Sequence, residues 1–275
     1  MTAAGWMPDP ANGAELLADV EHFLGRFVAY PSEAARVAHV LWIAHTWFMD
    51  AWESTPRIAF LSPEPASGKS RALEVTEPLV PRPVHAVNTT PAYLFRKVSD
   101  PDGAPTVLYD EIDTVFGPKA KDNEDVCGML NAGHRLGATA GRCVVRGATV
   151  CTEELPAYCA VALAGLDDLP DTLMSRSVIV RMRRRTPSER IEPWRYRTCR
   201  PDALADRLVE WSNSVRELAG AAWPDMPPGV EDRDADVWEA LLAVADLAGD
   251  DWPKRTRVAA VTLVTDAQSR PRASA

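Results

Sequence analysis

The sequence predicts an α/β fold with a five-stranded, mainly parallel β-sheet and a small helical region towards its carboxyl end. Two observations support this prediction. Short apolar runs lie at residues 57–61, 84–87, 106–109, 158–164 and 177–182, and helical patterns separate most of them. Alternation of this kind is typical of βαβ units, whose strands lie parallel. Beyond residue 185 only helical patterns remain, the clearest at 201–218 and 234–247.

The same patterns divide the chain into four parts. Residues 1–56 contain two amphipathic helical patterns that we expect to pack on the core, and residues 57–185 form the α/β core. Residues 186–265 are predicted to form a small helical domain, and residues 266–275 a flexible tail. A single core stops growing at roughly 250 residues, so a chain of 275 residues has room for one large α/β domain and a small helical domain.

The composition is that of an ordinary globular protein, with 46% hydrophobic and 25% charged residues. No stretch approaches the roughly 20 apolar residues that a membrane-spanning helix needs, and the first residues lack a secretory signal pattern. The five cysteines show no CxxC spacing, which favours reduced thiols over disulfides or a zinc site. We therefore expect a cytoplasmic protein with no membrane partner.

The charge distribution limits how the chain can contact nucleic acid. A formal net charge of −9 excludes general binding of polyanions, so such contact requires a local basic patch. Residues 181–200 contain eight arginines against two glutamates, and Arg142 and Arg146 lie in a predicted hairpin. Both segments could contact DNA phosphates. Solvated or acid-paired side chains explain the first segment equally well, and Glu153 and Glu154 weaken the signal in the second.

A phosphate-binding loop is predicted at residues 62–70, which read SPEPASGKS. The pattern GxxxxGK(S/T) is matched at Gly68, Lys69 and Ser70, while Pro63 stands where the first glycine belongs. Gly68 allows the backbone to approach phosphate, Lys69 adds a positive charge, and Ser70 offers a hydroxyl to magnesium. Because proline has no N–H, the phosphate contacts must come from a short stretch, with these residues expected to bind the nucleotide: Ala66, Ser67, Gly68, Lys69, Ser70 and Arg71.

A pair of acids ends the third apolar run. In TVLYDE, Asp110 is a candidate magnesium ligand together with Ser70, and Glu111 is a candidate for activating water. One strand–helix unit separates this run from the loop, which predicts that the third strand lies beside the first and brings the acids to the loop. A strand that ends in a solvated turn is the alternative interpretation. Asp113 is a weaker candidate, and a helix cap is its expected role.

Two arginines are candidates for contacting phosphate. Arg176 ends a short helix just before the fifth run, where it could reach a nucleotide bound by a neighbouring subunit and stabilise charge in the transition state. A helix-terminal cation favoured by the helix dipole is the alternative. Arg233 precedes the pattern at 234–247, and it could touch phosphate or be solvated.

Three motifs in this order, SPEPASGKS, TVLYDE and LPDTLMSRSVIVRM, resemble those of AAA+ P-loop ATPases. The last segment is most similar to its counterpart in minichromosome-maintenance-type helicases. Several blocks between about residues 20 and 255 also resemble an uncharacterised actinobacterial domain family that occurs in phages and mobile elements.

The AAA+ resemblance implies a five-stranded parallel sheet with a helical lid, ATP and Mg²⁺ as ligands, and a homo-oligomer, often a hexamer. It implies that Lys69 and Ser70 are Walker A residues, and that Asp110 and Glu111 are Walker B residues. Arg176 matches the arginine finger. Arg233 matches the sensor-two arginine, and Asn88 matches the polar group that ends the second strand. No asparagine matches sensor one, because the fourth strand ends in Ala-Gly-Leu-Asp at 164–167.

The expected function is an ATP-hydrolysing motor or remodeller that acts on DNA, helicase-like, in replication of a phage or mobile element. Lys69, Glu111 and Arg176 would be its catalytic residues. One alternative is a regulatory or defence NTPase switch without motor activity. A second is a scaffold that binds nucleotide without hydrolysing it, which the proline-rich loop and the absent sensor-one asparagine favour.

Overall fold

A five-stranded parallel sheet lies at the centre of the computed structural model, which describes residues 10–86, 89–116, 124–146, 149–166 and 168–269. Its strands are β1 (Arg57–Leu61), β2 (Pro83–Ala86), β3 (Thr106–Tyr109), β6 (Ala160–Gly165) and β7 (Ser177–Arg181), in the spatial order β2-β3-β6-β1-β7. Every pairing between neighbours is parallel. The predicted α/β class and five-stranded parallel sheet are therefore confirmed.

The prediction that β3 lies beside β1 is wrong. Leu163 of β6 is the register partner of both Tyr109 in β3 and Ala59 in β1, so β6 separates the two strands. Strands are spaced by about 4.8 Å, which places β3 roughly 10 Å from β1 across the sheet. Side chains that follow β3 must therefore reach past the end of β6 to meet the loop that follows β1.

Helices cover both faces of the sheet. One face packs against α4 (Pro91–Val98), α5 (Asp113–Phe116), α6 (Glu124–Ala132) and α7 (Asp171–Met174). The opposite face packs against α1 (Pro10–Phe27), α2 (Glu33–His45), α3 (Lys69–Thr76), α8 (Asp202–Gly220), α9 (Asp232–Ala248) and α10 (Trp252–Gln268). Strands buried on both faces carry apolar side chains throughout, which is why they appear in the sequence as continuous runs.

The carboxyl-terminal helices share one apolar core with the amino-terminal helices. The Trp252 indole N–H donates to the Ala14 carbonyl at 3.2 Å, and Arg207 pairs with Asp19 at 2.6 Å. Arg255 bridges Glu21 and Glu33, which links α10 to both α1 and α2. The segment predicted as a separate helical domain thus packs on the first two helices as well as on the sheet, and whether it acts as a lid stays a prediction.

The ends of the helices are set by local chemistry. Ser32 caps α2 by accepting the Ala35 N–H at 3.2 Å, and Pro253 fits the first turn of α10, where no N–H is needed. No separate helix is predicted for residues 252–268. Three of the four charged residues of α10 (Lys254, Arg255 and Arg257) lie in its first two turns, and the helix continues into the stretch expected to be a tail.

A hairpin projects between α6 and β6. It consists of β4 (Thr139–Arg146) and β5 (Thr149–Pro156), which pair antiparallel from Thr139↔Pro156 to Arg146↔Thr149. A hairpin is predicted here, but its eight-residue strands are longer than the sequence indicates and span roughly 24 Å. Among the described residues, no helix is long and apolar enough to cross a membrane.

Candidate functional site

The loop between β1 and α3 forms a concave turn of backbone. Ala66 and Gly68 adopt left-handed conformations with φ of 59° and 89°, and Gly68 immediately precedes α3. Left-handed residues alternating with ordinary ones turn successive N–H groups towards one point, a geometry that binds anions. A side chain at position 68 would be strained by this φ and would lie 3.6 Å from the Met182 methyl group. Glycine is therefore required where the predicted phosphate contact lies.

The Lys69 ammonium group lies inside this loop. Its Nζ donates to the Ser62 carbonyl at 2.9 Å, to the Glu64 carbonyl at 3.0 Å and to the Ser67 hydroxyl at 3.2 Å. Burial lowers the pKa of Lys69, while the charges of Asp113 and Asp110 act in the opposite direction. The Lys69 ammonium group is thus held by acceptors of the loop, within electrostatic range of the acids that follow β3.

The outer part of the loop is fixed by contacts that need no amide from its prolines. The Glu64 N–H donates to the Ser62 hydroxyl at 3.2 Å, and Arg184 Nε donates to the Pro65 carbonyl at 3.0 Å. Arg184 also lies 3.8 Å from the Glu64 carboxylate. Arg184 belongs to the arginine-rich segment considered for DNA contact, and the structure places it on the loop instead.

Two further residues of the predicted loop site face outwards. The Ser70 side chain is exposed in the first turn of α3, where its hydroxyl is free to take a ligand. Arg71 pairs with Glu74 at 2.7 Å on the same helix, so its guanidinium group is directed along α3 and not into the loop. Ala66 is exposed at the rim and Ser67 is buried beneath Lys69.

The acids after β3 are held by the ends of the neighbouring strands. The Asp110 N–H donates to Ala86 of β2 at 3.1 Å, and the Ile112 N–H donates to Ala164 of β6 at 3.0 Å. Between them Glu111 has a positive φ of 54°, and its N–H donates to the Asp110 carboxylate at 2.9 Å. Backbone strain of this kind in a non-glycine residue costs on the order of 1–3 kcal/mol and occurs often at functional sites.

Asp113 lies closer to the site than the sequence suggests. Its carboxylate accepts the Leu166 N–H at 3.0 Å, so it crosses the end of β6, the strand between β1 and β3. A Cβ atom at Gly165 would lie 3.2 Å from the same carboxylate oxygen and 2.8 Å from the Ile112 methyl group. From the sequence, a helix cap is the role predicted for Asp113. The signal for a place in the site is that Asp113 is the third acid in the pattern Asp-Glu-x-Asp.

Arg176 and Arg233 lie together at the amino-terminal ends of the strands, opposite the ends that the 62–68 loop follows. The Arg176 carbonyl accepts the N–H of Arg57, the first residue of β1, at 2.9 Å. Arg233 Nη1 donates to Ser175 at 3.3 Å, and burial and the nearby charge of Arg233 both lower the pKa of Arg176. A five-residue strand spans roughly 13 Å, so both arginines are about one strand length from the carboxyl ends of the strands, where Lys69 lies.

The remaining predictions concern residues at the margins of the site. Asn88 lies outside the described residues, as do the side chains of Arg142 and Arg146. In the arginine-rich segment, Arg181 pairs with Asp168, Arg183 with Glu189 and Arg200 with Asp202. Half of the eight arginines therefore contact acids or the 62–68 loop, which reduces the charge available to nucleic acid.

Two cavities flank the turn between α1 and α2. The larger, about 390 Å³, is lined by Tyr30, Arg36 and Glu189 among others. The smaller, about 180 Å³, lies between Pro31, Ser32, the end of α10 and Arg181. Arg181 is the register partner of Leu61, the last residue of β1, so the smaller cavity opens one strand away from the 62–68 loop.

Two comparisons with known proteins each cover about a third of the chain. Residues 181–275 match a family described as a protein of unknown function (DUF3631). The chain is also 47% identical over 95 residues to an "Uncharacterized 28.9 kDa protein in xis 5'region" from Saccharopolyspora erythraea, which covers 34% of this chain and 35% of that protein. The chain thus aligns with about a third of that relative. The family match begins at the last residue of β7 and does not include the loop or the acids described above.

Proposed function

We propose that the chain is a nucleoside-triphosphatase of the AAA+ type that binds ATP with Mg²⁺ between the 62–68 loop and the acids after β3. One observation carries the proposal. Lys69 lies in the concave loop, and the charges of Asp113 and Asp110 raise its pKa from across the end of β6. Two motifs distant in sequence thus meet at the carboxyl edge of a parallel sheet, where such folds bind ligands.

The chemistry of these groups suits a triphosphate with magnesium. The Ser70 hydroxyl and the Asp110 carboxylate are hard oxygen donors of the kind that Mg²⁺ prefers, and bound Mg²⁺ would neutralise phosphate charge. Lys69 would exchange its bonds to loop carbonyls for bonds to phosphate oxygens. Glu111, whose side chain is exposed, would orient the attacking water and accept its proton.

The sheet is compatible with the AAA+ assignment, because it has five parallel strands, as the resemblance in the sequence implies. The smaller cavity beside Arg181 offers a position for the nucleoside. Arg176 and Arg233 lie at the amino-terminal ends of the strands, away from the 62–68 loop of their own chain. We therefore infer that they serve the site of a neighbouring copy, which makes the active form a homo-oligomer.

Action on DNA is the second part of the proposal. The hairpin β4–β5 lies between α6 and β6 in the chain, and we infer that it would contact DNA in the pore of a ring. The similar Saccharopolyspora protein is described as lying in a xis 5′ region, and together with the resemblance to mobile-element proteins this favours a role in replication of such an element. The pairing of the arginine-rich segment leaves the hairpin as the stronger candidate for DNA contact.

A nucleotide-binding scaffold without turnover is the competing function. Pro63 and Pro65 remove two amides from the loop, and β6 ends at Gly165 with no asparagine to position water. ATP turnover measured with and without single-stranded DNA, together with mass measurement in ATP, separates the candidates. Turnover stimulated by DNA supports the motor, turnover that DNA leaves unchanged supports a regulatory switch, and ATP binding without turnover supports the scaffold.

A further inference from the structure

A histidine with a defined hydrogen-bonding pattern lies beside Arg176. His134 Nδ1 is 2.8 Å from the Asn131 carbonyl, and Arg176 Nε donates to His134 Nε2 at 3.2 Å. A carbonyl only accepts, so Nδ1 carries the proton, and Nε2 must be unprotonated to accept from the guanidinium group. One neutral tautomer alone satisfies both contacts.

The backbone around His134 is tied to the strands on both sides. The His134 carbonyl accepts the Thr55 N–H at 2.8 Å, just before β1, and the Gly133 carbonyl accepts the Cys159 N–H at 3.1 Å, just before β6. A Cβ atom at Gly133 would lie 2.1 Å from the Ala157 carbonyl oxygen, so this segment fits closely against the chain that leads into β6. The imidazole is therefore fixed relative to the sheet.

The surroundings of His134 are cationic. Burial lowers its pKa, the bond to Asn131 raises it, and the charges of Arg57, Arg176 and Arg233 lower it further. Within the described part of the chain, none of these arginines forms an ion pair with a carboxylate. The adjacent acids Glu53 and Asp236 contribute backbone carbonyls instead, to Leu136 and Ser54. Burial and the three arginine charges thus outweigh the bond to Asn131 and favour the neutral ring.

We propose that His134 is a positioning residue that holds the Arg176 guanidinium group for the nucleotide site of a neighbouring copy. The inference rests on the proposed function. The Thr172 carbonyl also accepts from Arg176, through Nη1, so the guanidinium group is held at two points. Removing the imidazole acceptor frees rotation about the end of the side chain and lowers the fraction of correctly aimed guanidinium groups.

Two variants separate the two bonds of the imidazole. His134→Gln places an acceptor at the ε position for Arg176 and lacks the δ donor, whereas His134→Asn keeps the δ donor for Asn131 and lacks the acceptor. We expect His134→Asn to lower kcat roughly tenfold with KM unchanged, the effect of losing one hydrogen bond to a charged group, and His134→Gln to stay within about twofold. In an Arg176→Ala background neither variant should lower kcat further. Equal losses in both variants, or a loss that persists in that background, would overturn the proposal.

A second measurement does not depend on turnover. Nitrogen NMR of the His134 ring should show a protonated Nδ1 and an unprotonated Nε2 at neutral pH, and Arg176→Ala should raise the pKa of His134 by removing a neighbouring cation. A ring protonated at Nε2, or a pKa that Arg176→Ala leaves unchanged, would contradict the proposal. A wild-type protein with these NMR properties but without ATP turnover would count against the proposed function alone.

Discussion

Asp113, the first residue of α5, lies within electrostatic reach of Lys69, the first residue of α3, because its carboxylate crosses the end of β6 and bonds Leu166. The charge of Asp113 favours the protonated form of Lys69, which burial opposes.

We predict that Asp113→Asn leaves the fold intact, since the amide oxygen can still accept from Leu166. Removing the charge lowers the pKa of Lys69 further, so the alkaline loss of ATP affinity should begin at lower pH. Titration of ATP binding against pH checks this, and superimposable profiles would contradict it.

Lys69→Ala should abolish ATP binding. A charged hydrogen bond contributes about 1.5–3 kcal/mol, so losing contacts to two phosphates reduces affinity by at least roughly 100-fold. Lys254→Ala, which removes an exposed lysine in α10, is the matched control and should bind as the wild type does. Calorimetric titration with ATP and Mg²⁺ measures both variants, and wild-type affinity in Lys69→Ala would remove the basis for the site.

Arg176→Ala should retain ATP binding and lose turnover, since Arg176 lies at the edge of the sheet away from its own loop. An arginine supplied by a neighbouring subunit accelerates such reactions by about 10³ or more. Mixing Arg176→Ala with Glu111→Gln protein should restore part of the activity, because some interfaces then combine an intact arginine with an intact glutamate. Arg195→Ala is the control for loss of an exposed arginine. Absence of rescue in a confirmed oligomer would count against shared sites.

Two buried histidines make stability depend on pH. Burial lowers the pKa of His39 to about 3 and that of His45 to about 4. In the unfolded chain both groups titrate near about 6.5, so the unfolded state binds more protons between these values. The free energy of unfolding should therefore be full above about pH 6.5 and fall by up to about 1.4 kcal/mol per histidine for each pH unit below it.

Denaturant unfolding at pH 7.0 and 5.5 tests this dependence. His39 is bonded to Tyr30 at 2.6 Å and to Thr76 at 2.7 Å, so His39→Gln should lower stability at pH 7 and also reduce its pH dependence. The exposed His22 provides the control, and His22→Gln should leave both quantities unchanged. An unchanged slope in His39→Gln would assign the acid sensitivity to other groups.

The α/β class and the position of each central strand follow from local patterns, because strands buried on both faces need apolar residues throughout. The neighbour of β3 does not follow from such patterns. Any parallel order is compatible with the same runs, and the crossovers decide which strand lies between. The position of Asp113 does not follow from local patterns either, since its partner Leu166 is distant in sequence and the contact exists only once β6 separates β3 from β1.

His134 shows a different limit. Nothing in its sequence neighbourhood distinguishes it from the other four histidines, and its role depends on Arg176, which is brought to it by the pairing of β7 with β1. Arg184 is similar, since an arginine-rich segment suggests a polyanion until the contact with the Pro65 carbonyl is seen. Charged side chains are therefore the residues whose roles local sequence specifies least.

The first two helices and the last three share one apolar core, which limits where the chain can be truncated. The stretch that matches DUF3631 includes α8, α9 and α10, whose tryptophans Trp211, Trp238 and Trp252 are buried in a core shared with α1 and α2. Excised alone, this stretch would present that surface to water and aggregate. A truncated expression clone of this chain that omits the first two helices should therefore be insoluble.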